Sequence, residues 1–459
     1  MFEHEILIPL DLFFADQHAK TASERVFFAA LMALSRDGHL CLDLDNLPLP
    51  DDLLAPVLEG SKTATSPDIR RLGNLVYLER NFDDETRILK QLKQLSFEVK
   101  PLDYSSDALT EEQQNGLNLA LGNTLSVIEG GPGTGKTFLT SHLVKAMGPS
   151  AQVILAAPTG KAAARLKQFN PDATCGTLHS ILGIKSQRQL ASGNSFVQAD
   201  LIIIDESSMI DAKLLAFFLG SLQPGQRVVF LGDGNQLPPV ESGSLFGDLV
   251  DLLPTAHLRQ CLRSDRLEVL QLAQDILAGK EITPHQSLSK EFILQKALEN
   301  FCILSPIREG PFGVNHLNQE IFQMFYRQMN QLLAVPILIT RTDYEAGLYN
   351  GEVGILWRSR EKLLHAEFGT RKIPASALPP YELGYVLSVH KSQGSEFDHV
   401  LALVPPGSET FGREVLYTAV TRARHSVILC GDAETIKKTV SRSSHRRSGL
   451  KRRWKDQIS

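Results

Sequence analysis

The 459-residue sequence predicts an α/β protein with two domains of similar construction, each built on a parallel sheet. Short apolar runs, each followed by a glycine-containing turn and a helical segment, occur in two successive sets. Strands that are apolar on both faces belong to parallel sheets covered by helices. At ~150 residues per domain the length predicts about three domains. The 43% of apolar and 22% of charged residues exclude a mainly disordered, collagen-like or coiled-coil chain.

The first part of the chain, residues 1–105, is predicted to form a small helical domain. It combines short apolar helical stretches, such as Glu24 to Ser35, with turns rich in Pro and Asp. Residues 1–100 hold 11 basic and 17 acidic side chains, a net charge of −6. Because an acidic surface does not attract nucleic acid, we expect this domain to dock on a protein partner.

The two α/β domains are predicted over residues 106–255 and 256–435. The strands expected in the first are LSVIEGG, QVILAAPTG, ADLIIIDESS and QRVVFLGD. The strands expected in the second are FCILSPIREG, PILITRTDY, GYVLSVHKSQG, HVLALVPP and HSVILCGD. A stretch over about residues 344–380, rich in Gly, Pro and basic residues with short strand-like pieces, predicts a small β insertion in the second domain.

The last segment, residues 436–459, is a basic tail. Residues 440–459 hold 7 basic side chains and 1 acidic side chain, and their end is almost without apolar residues, which predicts disorder. The net charge of the whole chain is −5. This balance argues against a protein that coats nucleic acid by bulk electrostatics, but it leaves room for a local basic channel.

Cysteine spacing and apolar run lengths exclude further classes of protein. The five cysteines are scattered, with no CxxC pair, so neither a zinc ribbon, an iron–sulfur cluster nor a disulfide framework is expected. The apolar run from Val26 to Leu34 is about half the ~18 residues that a membrane-spanning helix needs. The N-terminus, MFEHEI, carries acids where a secretory signal carries Lys or Arg. We therefore expect a cytoplasmic protein without a membrane partner.

The loop GGPGTGKT, residues 130–137, fits the phosphate-binding pattern GxxxxGK[ST] between a strand and a helix. Its glycines let backbone N–H groups surround phosphate at the helix N-terminus. Lys136 is expected to meet the β- and γ-phosphates of ATP, and the Thr137 hydroxyl to bind Mg²⁺. The loop residues predicted to bind the nucleotide are Gly130, Gly131, Pro132, Gly133, Thr134, Gly135, Lys136 and Thr137.

Acidic and amide side chains follow the next apolar strands. Asp205 ends the strand LIIID and is placed to hold Mg²⁺, while Glu206 can polarise the attacking water. Gln236, in GDGNQ after a further strand, is a candidate sensor of the water or γ-phosphate. Hydrolysis also needs positive charge on the transferred phosphoryl group. The candidate arginines are Arg422 and Arg424 in the second α/β domain, and Arg259 and Arg263 near the boundary between the two.

Nine motifs occur in a fixed order: Gln113 in LTEEQQNGL, then GGPGTGKT, APTGKAAARL, TLHSILG, DESS, GDGNQLPPV, LRQCLRSD, VHKSQGSEFD and LYTAVTRAR. Together they resemble the motif series of a superfamily 1 helicase over residues 110–431. The phrases SPIREGPFGVNHLN, GLYNGEVGIL and LPPYELGYVLSVHKSQGSEFD resemble the branch that contains RecD, the alpha subunit of exodeoxyribonuclease V. ALSRDGHLCLDL and LGNLVYLER resemble its docking domain. The resemblance implies two RecA-like P-loop domains and an ATP-dependent DNA helicase.

The resemblance also assigns roles to individual residues. It implies adenine recognition by Gln113, contacts to the phosphates and ribose by Gly394 and Glu396, and contacts to the γ-phosphate by Arg263 and Arg422. The residues that it implies in DNA binding are Thr159, Gly160, Thr177, His179, His390, Ser392 and Gln393. It further implies 5′→3′ movement on single-stranded DNA, action at duplex DNA ends, and a complex with RecB- and RecC-like beta and gamma subunits that processes double-strand breaks for recombinational repair.

Two departures from the family pattern keep other functions open. The segment GIKSQRQLASGNSFVQA, where relatives insert a strand-splitting pin, is short, and Asn235 stands where an acid is expected. One alternative is therefore an ATP-dependent regulatory or assembly subunit that binds DNA without unwinding it. Another is a free-standing DNA or RNA helicase. No carboxylate cluster typical of a nuclease stands out, so we expect any nuclease site to lie in a partner.

Overall fold

The computed structural model describes residues 7–47, 49–184, 196–261, 267–299, 301–329, 334–343, 345–358, 363–444 and 446–456. Four sheets occur in these ranges, and two of them are wholly parallel. The fold is therefore α/β with two RecA-like domains, as the sequence predicts. No helix in the described ranges combines the length and apolar character needed to span a membrane.

The N-terminal region contains a small sheet as well as the predicted helices. Its helices are Pro9–His18 (α1), Ala22–Arg36 (α2), Asp51–Thr63 (α3) and Glu79–Leu95 (α4), and its strands are Cys41–Asp43 (β1), Ile69–Leu72 (β2) and Leu75–Leu78 (β3). The three strands form an antiparallel sheet with β3 in the middle. Gly73, at φ 58°, and Asn74 form the two-residue turn between β2 and β3. This hairpin escaped prediction because its strands are only four residues long.

The first α/β domain, called the first motor domain below after the helicase that the resemblance implies, is built on a six-stranded parallel sheet. Its strands are Leu125–Gly130 (β4), Val153–Ala157 (β5), Thr174–Thr177 (β6), Leu201–Ile204 (β7), Arg227–Gly232 (β8) and Thr255–Leu258 (β9), in the order β6-β5-β7-β8-β4-β9. Its helices are Glu111–Gly122 (α5), Lys136–Met147 (α6), Gly160–Phe169 (α7), Leu178–Ile181 (α8), Ala212–Gly220 (α9) and Phe246–Leu252 (α10). Because β7, β8 and β4 are neighbours, the loops that follow them meet at one edge of the sheet.

The second motor domain has a four-stranded parallel sheet, formed by Cys302–Ser305 (β10), Val386–Ser388 (β16), Phe397–Val404 (β17) and Ala423–Gly431 (β18) in the order β16-β10-β17-β18. Its helices are Leu267–Leu277 (α11), Lys290–Leu298 (α12), Val314–Met329 (α13), Val389–Ser392 (α14), Arg413–Val420 (α15) and Ala433–Ser441 (α16). A five-stranded antiparallel sheet is inserted in it, formed by Ala334–Ile339 (β11), Val353–Arg358 (β12), Leu364–Phe368 (β13), Arg371–Pro374 (β14) and Tyr381–Leu383 (β15).

The inserted sheet is wider than the stretch 344–380 that composition suggested. The apolar run PILITRTDY, expected in the parallel sheet, forms β11 and pairs antiparallel with β12 and β15. A short apolar run fits either kind of sheet, because the pairing partner and not the run itself decides the direction. Likewise β9 lies in the first sheet although it reaches Leu258, past the expected boundary at residue 255.

The described residues of the basic tail, 436–444 and 446–456, include helical structure, contrary to the predicted disorder. Residues Leu450–Asp456 form a helix (α17), and Leu450 is fully buried. Arg453 is 4% exposed in its side chain and pairs at 3.0 Å with the buried Glu85 of α4. Composition predicted disorder because it could not show that acids elsewhere in the chain would neutralise these bases.

The N-terminal region is fused to the first motor domain through α4. Ile88, Leu89 and Leu92 of α4 are buried in the same core as Phe218 of α9 and Phe230 of β8. These contacts hold the N-terminal region in a fixed position beside the motor.

Candidate nucleotide site and nucleic-acid groove

The phosphate loop connects β4 to α6 with the geometry that its glycines permit. Gly133 and Gly135 have left-handed φ values of 79° and 83°, which favour glycine. The Lys136 ammonium donates to the carbonyl of Gly130 and, at 3.1 Å, to that of Gly131. Lys136 is also the first residue of α6, and Thr137 follows it in the first turn. The loop therefore places an ammonium group and a hydroxyl at a helix N-terminus, where an anion is favoured.

Gln113 is buried directly behind this loop. Its side-chain carbonyl accepts from the Thr110 N–H at 3.1 Å in a capping box at the start of α5. Its amide group donates to the carbonyl of Thr134 at 3.0 Å. The structure thus gives Gln113 a role in holding the phosphate loop, and adenine recognition by this residue stays a prediction.

Asp205 and Glu206 follow β7 at the same sheet edge. The Glu206 N–H donates to the Asp205 carboxylate at 2.9 Å. Burial, together with the charge of Asp205, raises the pKa of Glu206, while the charges of Arg422 and Lys136 act in the opposite direction. Glu206 therefore lies within electrostatic reach of the phosphate-loop lysine and of an arginine from the second motor domain, so these predicted site residues converge.

The backbone of Glu206 is strained. Its φ of 54° is the only left-handed value of a non-glycine residue in the described ranges. Such a conformation costs on the order of 1 kcal/mol for a side chain of this kind. Strain of this kind is characteristic of catalytic positions.

The loop after β8 joins the nucleotide site to the second motor domain. The Tyr417 hydroxyl, from α15, donates to the Asp233 carboxylate at 2.8 Å, and both residues are buried. The Leu237 N–H donates to the Thr418 hydroxyl at 2.9 Å, and the Gln393 amide donates to the Leu237 carbonyl at 3.1 Å. The two domains thus meet through directed hydrogen bonds at the motif that contains Gln236.

Gln236 itself is 6% exposed, and its amide donates to Asp233 at 3.4 Å. Its side-chain carbonyl is buried without a hydrogen-bond partner in the described part of the chain. A buried acceptor of this kind is costly unless a ligand or water satisfies it. Asn235, the departure noted in the sequence, has an exposed side chain, and its backbone N–H donates to the Asp233 carboxylate at 3.1 Å.

The candidate arginines occupy different environments. Arg422 is 4% exposed, and its guanidinium donates to neutral oxygens of Thr418, Ser395 and Thr421. Arg424, in contrast, is half exposed and pairs with Glu396 at 3.3 Å. Within the described residues, Arg422 is thus the arginine of this pair that has no carboxylate partner, and its charge lowers the pKa of Glu206 against the effect of burial.

The residues predicted at the nucleotide site that remain are Gly394 and the two arginines near the domain boundary, Arg259 and Arg263. Gly394, at φ 71°, lies against the first motor domain, since a Cβ added to Gly394 would be 3.5 Å from the Thr159 hydroxyl. The N–H groups of Arg259 and Gln260 both donate to Glu112, at 2.8 and 3.0 Å. Arg263 lies outside the described residues.

A groove of about 300 Å³ lies between the two motor domains, next to the junction that Gln393 forms with Leu237. Four of the predicted DNA-binding residues line it, namely Thr159, His179, His390 and Gln393. Lys161, Asp211 and the loop Pro239–Glu241 also line it from the first domain, and Asn350, Gly351 and Lys391 from the second. Because both domains contribute walls, any movement between them changes the shape of the groove.

Three further predicted residues support the groove from behind. Gly160 lies under the ring of Tyr349, which leaves no room for a Cβ. The Thr177 hydroxyl caps α8 by accepting from the Ser180 N–H at 3.1 Å. Ser392 is fully buried and donates to the Val389 carbonyl at 2.7 Å.

Sequence reasoning missed several residues of these sites, including Lys161, Tyr349, Lys391 and Tyr417. Lys161 follows the predicted Gly160 directly, and burial lowers the pKa of its ammonium. Its Nζ lies 5.6 Å from the centre of the Phe397 ring. Lys161 could have been found from its place in the motif APTGKAAARL. Tyr349 and Tyr417, in contrast, are brought to the site only by the tertiary fold.

Comparisons with known proteins agree with this architecture. Residues 108–294 match the model of the AAA domain family, and residues 383–430 match that of the UvrD-like helicase C-terminal domain. The chain is 29% identical over 532 aligned residues to the RecBCD enzyme subunit RecD of Mycobacterium tuberculosis, covering 95% of this chain and 92% of that protein. It is 28% identical to that of Mycolicibacterium smegmatis, covering 98% of each.

Other relatives match a smaller part of the chain. The ATP-dependent RecD2 DNA helicase of Deinococcus radiodurans is 32% identical over 71% of this chain and 49% of its own length. Among solved structures, the Pif1 helicase of Candida albicans aligns with a TM-score of 0.48 and 17% identity over 76% of this chain and 99% of that one. The relatives and the two family matches together support an ATP-dependent DNA helicase that is similar over nearly its whole length to RecD subunits.

Proposed function

We propose that this helicase moves 5′→3′ on single-stranded DNA as one subunit of a helicase–nuclease complex that processes double-strand breaks for recombinational repair. The observation that carries the proposal is the groove between the two motor domains, which shares a hydrogen-bonded junction with the nucleotide site. Relatives named as RecD subunits of RecBCD match nearly the whole chain. The partners would be RecB- and RecC-like beta and gamma subunits and a duplex DNA end.

In the nucleotide site, Lys136 and the loop N–H groups would bind the phosphates of ATP. The Thr137 hydroxyl and the Asp205 carboxylate would hold Mg²⁺, because hard oxygen ligands together with substrate phosphates suit this ion. Bound there, Mg²⁺ would supply charge neutralisation on the phosphates. No cluster of three or more His, Cys, Asp or Glu that could hold a metal by itself occurs in the described ranges.

Glu206, Gln236 and Arg422 would perform the chemistry around the γ-phosphate. A raised pKa makes the Glu206 carboxylate a stronger base towards the attacking water. The unsatisfied carbonyl of Gln236 would accept a hydrogen bond from that water. Arg422 would stabilise the charge on the transferred phosphoryl group, in the manner of an arginine finger.

Coupling to DNA would pass through the loop after β8. Asp233 and Leu237 contact α15, which leads to Arg422, and the same loop continues into Pro239–Glu241 in the groove wall. A change at the γ-phosphate would therefore shift α15 against this loop and change the grip on the strand.

DNA binding in the groove would be independent of sequence. Lys161 supplies positive charge, Lys391 lies in the groove wall while it pairs with Glu382 at 2.6 Å, and the two histidines supply hydrogen bonds. Burial lowers the pKa of both His179 and His390, so the rings are neutral near pH 7. Contacts of these kinds position a phosphate backbone without reading bases. A narrow groove of mixed charge also agrees with the net charge of −5.

Docking on the partner subunits would use the N-terminal region. Its helix α1 exposes Leu10 and Phe13 by 54% and 64%, one turn apart. Deletion of the region would not test this cleanly, because Ile88 and Leu89 belong to the core shared with the motor. The substitution Phe13→Glu is the better test, since it should abolish co-purification of the beta and gamma subunits and leave DNA-stimulated ATPase intact. Retained co-purification would contradict docking through α1.

The function itself is tested by unwinding in the reconstituted complex with the ATPase sites of the partners inactivated. We expect unwinding of a duplex with a 5′ single-stranded tail and not of one with a 3′ tail. ATPase activity without unwinding of either substrate would instead support a regulatory or assembly subunit. Stronger stimulation of ATPase by RNA than by DNA oligonucleotides would support an RNA helicase.

A further inference from the structure

The C-terminal strap, residues 442–456, crosses all three parts of the molecule. It begins on the second motor domain, where Glu414 at the start of α15 accepts hydrogen bonds from the Ser443 hydroxyl at 2.7 Å and the Ser444 N–H at 2.9 Å. It ends as α17 against the N-terminal region and α10. Between these ends it passes the loop Pro239–Glu241. The strap therefore connects the helix beside the nucleotide site to the wall of the groove.

Arg446 makes the contact between the strap and that wall. One nitrogen of its guanidinium donates to the backbone carbonyls of both Pro239 and Glu241, the latter at 2.6 Å. The guanidinium also packs on Gly38, where a Cβ would lie 2.2 Å from its central carbon. Pro239, Val240 and Glu241 all line the groove, whereas Arg446 is not among the lining residues. Burial and, after it, the charge of Arg446 lower the pKa of the groove-lining His390, so Arg446 fixes the shape of this wall from a position close to the groove.

The rest of the strap is held by directed contacts on acidic partners. The Ser448 hydroxyl donates to Asp248 at 2.8 Å, and the Gly449 N–H donates to Glu85 at 3.0 Å. Arg453 pairs with the same Glu85, and Lys451 pairs with Asp251. Because Lys451, Arg452 and Arg453 each pair with an acid of the same chain, this end of the strap is not a free cationic arm for nucleic acid.

We propose that Arg446 is a positioning residue for DNA binding: it holds the loop Pro239–Glu241 in the shape that grips the strand, and the strap links that shape to α15. This inference rests on the proposed role of the groove in binding single-stranded DNA. The loop is anchored on one side by the Leu237 contact to Thr418, and on the other by Arg446 and by the next residue, Ser242, whose hydroxyl donates to the Ser35 carbonyl at 2.9 Å. Without Arg446, the loop Pro239–Glu241 would lose one of these anchors. Its central residue, Val240, is 75% exposed and has little packing of its own to hold it.

The test is the affinity of the full-length chain for a fluorescent oligo-dT, measured by anisotropy at several salt concentrations. We expect Arg446→Ala to raise the Kd about tenfold, since it removes two hydrogen bonds from a charged donor. The slope of log affinity against log salt should stay unchanged, because no phosphate contact is removed. The matched control is Arg452→Ala, which removes a charge from the same strap where it pairs with Asp45 at 3.5 Å, and which should bind within twofold of the wild type.

The outcomes separate this role from the alternatives. Equal weakening by Arg446→Ala and Arg452→Ala, with a reduced salt slope, would mean that the strap contacts DNA directly and would overturn the positioning role. Unchanged affinity of Arg446→Ala would overturn it as well. Failure of the wild-type chain to bind oligo-dT would instead overturn the proposed function. If thermal denaturation shows that Arg446→Ala is unfolded, Arg446→Lys decides, because it keeps the charge and loses the planar fork; it should bind more weakly than the wild type.

Discussion

The buried hydrogen bond between Tyr417 and Asp233 makes a specific prediction about the coupling of the two motor domains. The Tyr417 hydroxyl lies 2.8 Å from the Asp233 carboxylate, and the two residues are 5% and 0% exposed. Burial, together with the charge of Asp233, holds the pKa of Tyr417 well above its usual range, so the hydroxyl remains a donor. The substitution Tyr417→Phe removes this donor and keeps the ring.

The size of the effect follows from the partners that remain. After the substitution, the Asp233 carboxylate still accepts from the Asn235 N–H at 3.1 Å and the Gln236 amide at 3.4 Å, so it loses one of three hydrogen bonds. A hydrogen bond to a charged, buried group contributes about 2 kcal/mol. If hydrolysis requires the arrangement of the two domains in which Tyr417 contacts Asp233, the loss of about 2 kcal/mol lowers kcat/KM for ATP about thirtyfold.

The assay is steady-state ATPase at saturating single-stranded DNA. Tyr385→Phe is the matched control, because the Tyr385 hydroxyl is buried without a hydrogen-bond partner in the described ranges. Its loss should leave kcat/KM unchanged and should not destabilise the fold. A Tyr417→Phe enzyme within twofold of the wild type, or an equal loss in Tyr385→Phe, would refute the reasoning.

Three further predictions concern single side chains. Lys136→Ala should abolish ATP hydrolysis while thermal denaturation shows an intact fold, because the hydrogen bonds of the ammonium in the described part of the chain go to two loop carbonyls; surviving ATPase would contradict the site. Glu206→Gly should abolish hydrolysis and raise the free energy of unfolding by up to about 1 kcal/mol, since glycine relieves the left-handed φ; a destabilised variant would contradict this. Burial raises the pKa of Asp248 from 3.8 to about 6, so the folded state binds its proton more tightly than the unfolded state. This contribution to stability is complete below pH 3.8 and is lost as the pH rises through about 6. Denaturant unfolding should therefore show Asp248→Asn more stable than the wild type at pH 7.5, by up to about 3 kcal/mol, with no difference near pH 3.5.

The local motifs were predictable because their chemistry is written in contiguous residues. The turn conformations of Gly133 and Gly135 and the placement of Lys136 follow from the loop between β4 and α6 alone. The convergence of Asp205 with this loop could also be expected, because parallel strands bring their carboxyl ends to one edge.

Features that depend on distant pairing could not be predicted. Tyr417 and Asp233 are 184 residues apart, and neither shows by itself that the other is its partner. The strand β11 has the same apolar character as its parallel counterparts, and only its neighbours make it antiparallel. The tail was misjudged for the same reason, because the acids that order it lie in the first 251 residues of the chain.

The pairing of Glu85 with Arg453 has a consequence for biosynthesis. The two residues are 368 positions apart, so the N-terminal region leaves the ribosome long before its buried carboxylate can meet the guanidinium. At 5–20 residues per second this interval is roughly 20–70 seconds. During that time Glu85 must stay hydrated or protonated, and the surface between α4 and α10 stays open to chaperones. A chain that stops before residue 453 lacks the guanidinium and leaves this surface open, so truncation there should expose the buried Glu85.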